Sequence, residues 1–439
     1  MKAHVYGLGL ILLCSACTAP SLRYKTDIHK LAAQGQFKEA AAKVAAKRSK
    51  NYSRQDWALA YLDEAVLLHD AGESVKSDEL LSQAQDRMED LYTVSATKTA
   101  GRFLVNDLTL PYSVAPFERA FTFFYRAMNF LAQDNLSDAA VEARRATAFL
   151  DSLRGSKDKG YNDDPFVQYF SSLIFESVGQ LNDARICRVN ALKGYQRLQS
   201  LLNVPVPSFS VPSNYHELTE VIIFHYNGVL PLKKSATIQF AADKVYGIIV
   251  ADSESRRYEM EPELSNALRA GIWKAVTISY PVLEAQPFSI ASSFALTEDG
   301  QRYKLQKMAD LAAAAKADLE ERTAGIWART AARVIVKRAA AEATRQAVKS
   351  SVDKDEAFWG DLAGMFVNAM GSALEKADTR QWFTLPAQIF MTRIFLPPGE
   401  QDIQLMFVDK FGNVVAGHTF EKVLLKPGER VFLHYRTAQ

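Results

Sequence analysis

Gly35-Gln36-Phe37-Lys38-Glu39-Ala40 recurs as Gly179-Gln180-Leu181-Asn182-Asp183-Ala184, and weaker copies of this stretch begin at Gly72 and Asp134. In each copy an apolar or small residue stands two positions after the Gly or Asp, and Ala or Ser stands five positions after it. Gly and Asp tolerate the left-handed backbone that ends a helix, and small residues let two helices pack closely. The motif therefore predicts helical hairpins, with the apolar residue filling the gap between the paired helices.

These hairpins resemble the tetratricopeptide repeat (TPR), whose copies recur about every 34 residues. The turns here lie 37, 62 and 45 residues apart, so the repeats are divergent and carry insertions. Helix-forming side chains dominate this part of the chain and Pro is scarce. We expect a TPR-like helical domain over residues 17–202, with a plain helical bundle as the alternative.

The composition changes after a Pro-rich linker at 203–215, where a helix cannot continue. Short β-branched and aromatic runs, separated by Pro-Gly, Asn-Gly or Gly-Asn turns, fill residues 216–300 and 381–439. We predict that these two parts form one antiparallel β domain with a helical insertion, residues 301–380, between them. The predicted fold class is α+β, with N-terminal TPR-like α-helical hairpin repeats followed by this β domain.

The insertion contains a basic, partly amphipathic stretch and then an apolar one. Arg329, Arg333 and Lys337 recur at four-residue spacing, and Gly360 and Gly364 lie in an apolar segment rich in small residues. Polar residues interrupt the apolar segment, so it is not a clean membrane span. The stretch 326–377 is a helix packed on the β domain, an interfacial helix on lipid, or a surface for another protein.

The N-terminus has the layout of a secretory signal. A cationic start precedes the uncharged run from Val5 to Cys14, and the small residues Ser15 and Ala16 stand directly before Cys17. This arrangement resembles the lipobox of bacterial lipoproteins, although Cys14 stands where that pattern usually has Leu. The resemblance implies a signal peptide at 1–16, cleavage after Ala16 and diacylglycerol on Cys17; plain secretion is the alternative.

Thr18 follows the candidate lipid-bearing cysteine. By resemblance to lipoprotein sorting in Gram-negative cells, a residue other than Asp there favours the outer membrane. We therefore expect a lipid-anchored protein that faces the periplasm and contacts the membrane through its N-terminal lipid. The remaining thiol, Cys187, is predicted to be a small buried residue on a helix.

Charge and motifs exclude several function classes. Lys+Arg 52 against Asp+Glu 50 leaves a net charge of +2, which predicts no nucleic-acid partner. No zinc-ligand spacing, Gly-x-Ser-x-Gly elbow or phosphate loop occurs, so we predict no catalytic residue, cofactor or metal site. His225 and His434 could meet across strands, although ordinary strand positions explain them equally well.

Aromatic and charged residues on the predicted helices are candidates for a groove that binds a partner protein. For any single aromatic residue the hydrophobic core is the competing interpretation, and for the charged residues it is a solvated helix face. The candidate groove residues are Trp57, Tyr61, Phe121, Tyr125, Glu142, Arg144, Arg145 and Tyr169.

The stretch Ala377-Asp378-Thr379-Arg380-Gln381-Trp382-Phe383-Thr384-Leu385-Pro386-Ala387-Gln388-Ile389 resembles a motif of a largely uncharacterised family of Gram-negative lipoproteins. Those proteins are similar in their lipobox, TPR-like helices, β region, helical stretch and a later Leu-Pro-Pro-Gly segment. The resemblance implies an architecture and no activity. We interpret Asp378, Arg380, Trp382, Leu385 and Pro386 as a structural motif, in which Asp378 and Arg380 tie a helix end to the sheet and Trp382 enters the core.

The sequence-based hypothesis is therefore a non-enzymatic lipoprotein scaffold that binds a partner protein in an envelope assembly. One alternative is an activator of an enzyme that acts on peptidoglycan or polysaccharide. Another is a membrane-associated protein that forms homo-oligomers through residues 326–377.

Overall fold

The chain is α+β, with helices first and strands after them. In the computed structural model, the described residues are 19–95, 110–154, 164–243, 247–252, 275–323, 326 and 377–439. The helices are α1 (Leu22–Ala33), α2 (Phe37–Asn51), α3 (Trp57–Asp70), α4 (Ser74–Ser95), α5 (Pro116–Leu131), α6 (Leu136–Arg154), α7 (Pro165–Ser177), α8 (Leu181–Leu202) and α9 (residues 311–323).

The recurring turn motif forms four helical hairpins, as predicted. Gly35, Gly72, Asp134 and Gly179 have φ values of 73°, 77°, 55° and 72°. At each turn this residue donates its amide to the carbonyl three residues back, and the next residue donates to the carbonyl five back. This pair of bonds is the Schellman arrangement that closes a helix end.

Small residues of the turn motif lie at the contacts between paired helices, whereas the apolar residue of the last copy is exposed. Ala40 and Ala139 are fully buried and Phe37 is 9% exposed. The prediction that the apolar residue fills the gap is wrong for Leu181, which is 68% exposed. The reason is that α8 is the last helix of the array, so no described helix packs on the outer side of Leu181.

Strands occupy most of the remaining described chain. Their bounds are β1 (Thr219–Asn227), β2 (Leu232–Asp243), β3 (Gly247–Asp252), β4 (Ala275–Glu284), β5 (Ile290–Leu296), β6 (Arg302–Lys304), β7 (Gln306–Asp310), β8 (Gln388–Leu396), β9 (Gly399–Asp409), β10 (Val414–Leu425) and β11 (Arg430–Thr437).

The strands form three sheets. The inner sheet has the order β11-β1-β8-β7, the outer sheet β10-β9-β5-β6, and the small sheet β3-β2-β4. Pairing is antiparallel except between β1 and β11, which run parallel with Glu220 opposite Arg430. The expectation of a purely antiparallel domain is wrong at this pair, because the last strand returns to the sheet beside the first.

One predicted boundary, the start of the helical insertion, differs from the structure. Strands β6 and β7 lie inside the range predicted as a helical insertion, because β7 pairs with β8, and the helix begins only at residue 311. Residues 324–325 and 327–376 of that insertion lie outside the described residues. The Pro-rich stretch is non-helical as predicted, but it packs: Val204 is 3% exposed, and Ser208 exchanges hydrogen bonds with Gln306.

The inner sheet lies between the helices and the outer sheet. Alternate side chains of β1 point to opposite faces. Val221 and Ile223 join the core against the outer sheet. Ile222 and Phe224 belong to the core that the helices share. One continuous hydrophobic core therefore joins the helical half to the β half.

Candidate functional site

The inner face of the helical array is occupied by the chain itself. Residues 378–387, here called the clasp segment, run across the first helices of the hairpins before entering β8. Lys25 of α1 donates to the carbonyl of Thr379 over 2.6 Å, and the His29 ring lies 2.9 Å from the carbonyl oxygen of Phe383. These contacts hold the main chain of a non-helical segment that includes a turn at Phe383 and Thr384, so the chain itself covers this face of the helices.

Arg380 is the central charged group of the clasp segment. Its side chain is 2% exposed and binds Asp378 through two nitrogens, at 2.9 and 2.7 Å. The same guanidinium donates to Asp56 and to the carbonyl of Leu110, both over 2.7 Å. The helix end that Asp378 and Arg380 were predicted to tie to the sheet lies outside the described residues, so that link stays a prediction. Arg380 ties the clasp segment to the short 3-10 helix Arg54–Asp56, which precedes α3 and carries the buried Asp56 carboxylate.

Trp382 enters the core as predicted. Trp382 is fully buried, and its amide donates to the Glu118 carboxylate over 3.1 Å. Leu385 and Pro386 are buried as well. The Thr384 hydroxyl donates to the Asp63 carboxylate over 3.1 Å.

Burial controls ionisation where α1 and α3 meet the clasp segment. Burial raises the pKa of Asp63 to about 8, against the hydrogen bonds from Tyr52 and Thr384 that lower it. Burial lowers the pKa of Lys25 to about 7, although Asp63 opposes that shift. Dehydration thus weakens the charge on both groups, and the hydrogen bonds to the clasp segment replace the water they lose.

Four of the aromatic groove candidates lie in the core, Tyr61 at 6% exposure among them. Phe121 and Tyr125 are fully buried on α5, and Tyr125 lies 6.1 Å from Trp382 between ring centroids. Tyr169 is 5% exposed, and its hydroxyl accepts a hydrogen bond from Arg393 of β8. Phe121, Tyr125 and Tyr169 pack on the inner sheet and the clasp segment, so they present no open groove.

The other candidates fall into separate places. Trp57 and Tyr61 lie beneath two guanidinium groups, with Arg48 4.5 Å from the Tyr61 centroid and Arg87 5.4 Å from the Trp57 ring. This cation–π cluster joins α2, α3 and α4. Tyr61 belongs to the same hydrophobic core as Phe121 and Tyr125, and Trp57 packs against that core.

Glu142 and its two neighbours divide between core and surface. The Glu142 side chain is 3% exposed and lies 3.1 Å from Arg126 and 3.0 Å from Arg145. Arg145 is 55% exposed, and Arg144 is exposed with a bond to Gln180. Among the candidates, the two arginines are thus the solvent-facing pair.

A second buried polar cluster lies where α3 and α5 meet the inner sheet. The rings of His69 and His434 stack with centroids 4.3 Å apart, and Asp70 lies 3.5 Å from Arg436. Burial raises the pKa of Asp70 to about 7 and lowers that of His434 to about 4. The Asp70 and Arg436 side chains are 1% and 2% exposed, so a molecule in solvent does not reach them.

Sequence reasoning missed this cluster because its members stand far apart in the chain and no local motif marks them. It also suggested that His225 and His434 could meet. They lie on paired strands, but His225 bonds to Ser293 and Thr437 while His434 faces His69, so they occupy opposite faces of the inner sheet.

Cys187 is buried as predicted, at 4% exposure on α8. Across the described ranges, no group of His, Cys, Asp and Glu has the arrangement of a metal site, and none of the helices is both long and apolar enough to cross a bilayer. Comparisons with protein-family models, with curated proteins and with solved structures find no match.

Proposed function

We propose that this protein is a non-enzymatic scaffold, anchored to the outer membrane by a lipid on Cys17 and facing the periplasm, that holds a protein partner in an envelope assembly. The lipobox-like sequence supports the anchor. Helix α1 begins at Leu22, five residues after Cys17. Five residues span at most about 17 Å, so the anchor would hold the folded body close to the bilayer.

The single observation that carries the scaffold proposal is the clasp segment. The helical array holds a non-helical segment of polypeptide through main-chain and charged contacts, which is the chemistry of a protein-binding surface. The clasp segment of the same chain already covers that face. A partner protein would therefore contact the candidate groove residues that remain exposed. Val141, Arg144 and Arg145 lie at i, i+3 and i+4 on α6 and are all exposed. A partner with an acidic surface fits this face.

The anchor is tested by mass spectrometry of the N-terminal peptide from the full chain expressed in a Gram-negative host. We expect cleavage before Cys17 and a diacylglyceryl thioether on it, both lost in Cys17→Ser. An unmodified thiol on the mature protein contradicts the anchor.

The partner contact is tested with a photoreactive residue at Ala148, beside the two arginines on α6. We expect a discrete protein adduct whose yield falls at least tenfold in Arg144→Glu/Arg145→Glu. The matched control reverses two exposed charges on α2, Lys47→Glu/Lys50→Glu, and leaves the adduct intact. An adduct whose yield is unchanged in Arg144→Glu/Arg145→Glu contradicts this site. Tight binding of the protein to purified peptidoglycan favours the alternative function as an enzyme activator.

A second candidate function is oligomer formation through 326–377, and its test depends on where the chain leaves and re-enters the described body. Burial and Glu118 raise the pKa of Tyr112, Arg322 opposes that shift and Asp378 adds to it, so residues near both ends of this stretch lie close to one tyrosine. A Gly-Ser linker replacing 327–376 is therefore expected to preserve the fold by circular dichroism. Unchanged assembly and liposome binding in that variant would remove this candidate.

A further inference from the structure

The first helical hairpin is strongly basic. Residues 19–54 contain nine Lys and Arg side chains but only two acidic ones, Asp27 and Glu39, whereas the whole chain has a net charge of only +2. One of these two carboxylates is already paired, because Asp27 lies 3.6 Å from Lys43. The excess of positive charge is therefore a local property of this hairpin.

Four of the basic side chains lie at the end of the hairpin where the chain enters α1. The ring centroids of Tyr24 and Tyr52 are 6.3 Å apart, so the first turn of α1 lies beside the end of α2. The short 3-10 helix that begins at Arg54 follows directly. We call the exposed basic residues at this end the basic rim: Arg23, Lys47, Lys50 and Arg54.

No carboxylate neutralises the basic rim within the described part of the chain. The ion pairs that the hairpin does make, none of which uses a rim residue, are Lys38–Glu73, Lys43–Asp27 and Arg48–Glu64. The sequences that precede α1 and follow α4 outside the described residues add no net negative charge. Residues 1–18 contain only Lys2, and residues 96–109 contain Lys98 and Arg102 against Asp107.

The positive surface is confined to the first hairpin. At the end of α4, exposed Arg87 stands among the exposed acidic residues Asp86 and Glu89, so the second hairpin does not continue the excess of cations. The basic excess therefore lies on the hairpin closest in sequence to the proposed lipid anchor.

The basic rim also lies within reach of that anchor. Arg23 stands six residues after Cys17, and six residues span at most about 20 Å. Leu22, next to it, is 38% exposed. A lipid on Cys17 would therefore hold this end of the hairpin close to the headgroups.

We propose that the basic rim docks on the anionic headgroups of the bilayer that holds the lipid anchor, where its side chains pair with lipid phosphates. This proposal rests on the anchor proposed for Cys17 and adds an orientation to it. A tether at one residue leaves the folded body free to rotate, and a second, electrostatic contact fixes which end faces the bilayer. The α1–α2 end then lies on the membrane, and the turn at Gly35 points away from it.

An acidic protein is the competing occupant of the basic rim, and the position of the rim disfavours it. The chain between Cys17 and Arg23 is short, so a folded partner would have to fit between the body and the bilayer to reach these side chains. Headgroup phosphates are at that distance already once the anchor is inserted.

The test is sedimentation with lipid vesicles of the mature chain, residues 17–439, carrying Cys17→Ser and hence no lipid. We expect it to bind vesicles of phosphatidylcholine mixed with phosphatidylglycerol at least tenfold more tightly than pure phosphatidylcholine. In Lys47→Glu/Lys50→Glu the affinity for the mixed vesicles should fall at least tenfold, because each cation near an anionic surface contributes roughly fivefold.

The matched control places the same charge change at the other end of the hairpin. Lys30→Glu/Lys38→Glu reverses two exposed charges on either side of the turn at Gly35. Helix α1 has 12 residues, so this end lies about 18 Å from the rim, roughly two Debye lengths at physiological salt. Its affinity should stay within twofold of the parent, and circular dichroism shows that both variants fold.

Orientation is tested in the lipidated full-length chain with a photoreactive residue at Ser49, between Lys47 and Lys50, or at Gln34, in the turn at the far end. Both positions are exposed. We expect lipid adducts from position 49 and none from position 34. Equal lipid yields from the two positions, or a discrete protein adduct from position 49, would overturn the proposal.

The outcomes separate the basic rim from the anchor. An unmodified thiol on Cys17 contradicts the anchor, whereas the vesicle assay uses a chain without lipid and reports on the rim alone. No binding to the mixed vesicles, equal affinity for neutral ones, or no loss in Lys47→Glu/Lys50→Glu overturns the rim. In cells the lipid on Cys17 holds that variant at the membrane, so its α6 adduct is expected to persist.

Discussion

Arg380 donates a hydrogen bond to Asp56 over 2.7 Å, and the two residues stand 324 positions apart in the chain. Their side chains are 2% and 3% exposed. A buried cation between two carboxylates is stable only while every partner is present, since each charge left alone keeps its full dehydration cost. This contact therefore holds the clasp segment against the helical half of the chain.

Arg380→Ala is expected to lower the free energy of unfolding by about 3–5 kcal/mol, because it leaves Asp56 and Asp378 without their cation. Denaturant titration followed by circular dichroism measures the loss. Arg144→Ala, which removes an exposed arginine, is the matched control and should stay within about 0.5 kcal/mol of the parent. Equal effects of the two substitutions would contradict a locking role for Arg380.

His29 makes stability depend on pH. Burial lowers its pKa to about 4, whereas the unfolded chain protonates near its ordinary value of 6.5. As the pH falls from 6.5 to 4, the unfolded state takes up a proton that the folded state does not, so the folded state loses stability in this window.

The contribution of His29 is isolated by comparison with His29→Gln, whose amide keeps a donor for the Phe383 carbonyl. Between pH 6.5 and pH 4 the parent should lose about 3 kcal/mol more than the variant, from 1.36 kcal/mol per pKa unit. Thermal or denaturant unfolding at several pH values gives both curves. Parallel curves would show that His29 does not cause the dependence.

The hairpin turns supply a matched pair of backbone tests. Gly179 has a φ of 72° with nothing within 4 Å of where a Cβ would lie, so Gly179→Ala meets backbone strain and no clash. It should cost about 1 kcal/mol of unfolding free energy. Asp134 adopts φ 55° with a side chain, so Asp134→Gly should relieve strain and raise stability by less than about 1 kcal/mol. Changes of the same sign in both variants would refute this account of the turns.

Cys187 should be unreactive in the folded protein. Burial raises its pKa to about 12, and its side chain has little access to solvent. A maleimide at pH 8 should label Lys410→Cys, at an exposed position in the turn after β9, within minutes and Cys187 only after denaturant is added. Rapid labelling of Cys187 under native conditions would show that α8 opens readily.

Local features of the fold could be predicted because their causes are local. Gly35 and Gly179 end a helix because glycine adopts the left-handed turn without steric cost. Runs of β-branched residues between turn residues favour strands. The same reasoning placed Cys187 and Trp382 in the core. The assignment of the hairpins to the TPR and the lipid on Cys17 remain predictions.

The sites depend on contacts between distant parts of the chain. Nothing near Asp70 in the sequence points to Arg436, and no spacing rule relates Asp56 to Arg380. The four-residue spacing of Phe121 and Tyr125 on a helix fits a binding groove and a hydrophobic core equally well. Only the tertiary structure, which packs both residues in the core, distinguishes these interpretations.

By itself, then, the sequence determined the order of helices and strands and the four hairpin turns, because short-range sterics and side-chain periodicity act within a few residues. Tertiary structure alone decided that the clasp segment covers the inner face of the helices and that β11 runs parallel to β1. Those outcomes depend on contacts between buried charges and apolar faces that lie hundreds of residues apart in the chain. Such contacts exist only in the folded molecule and leave no local pattern in the sequence.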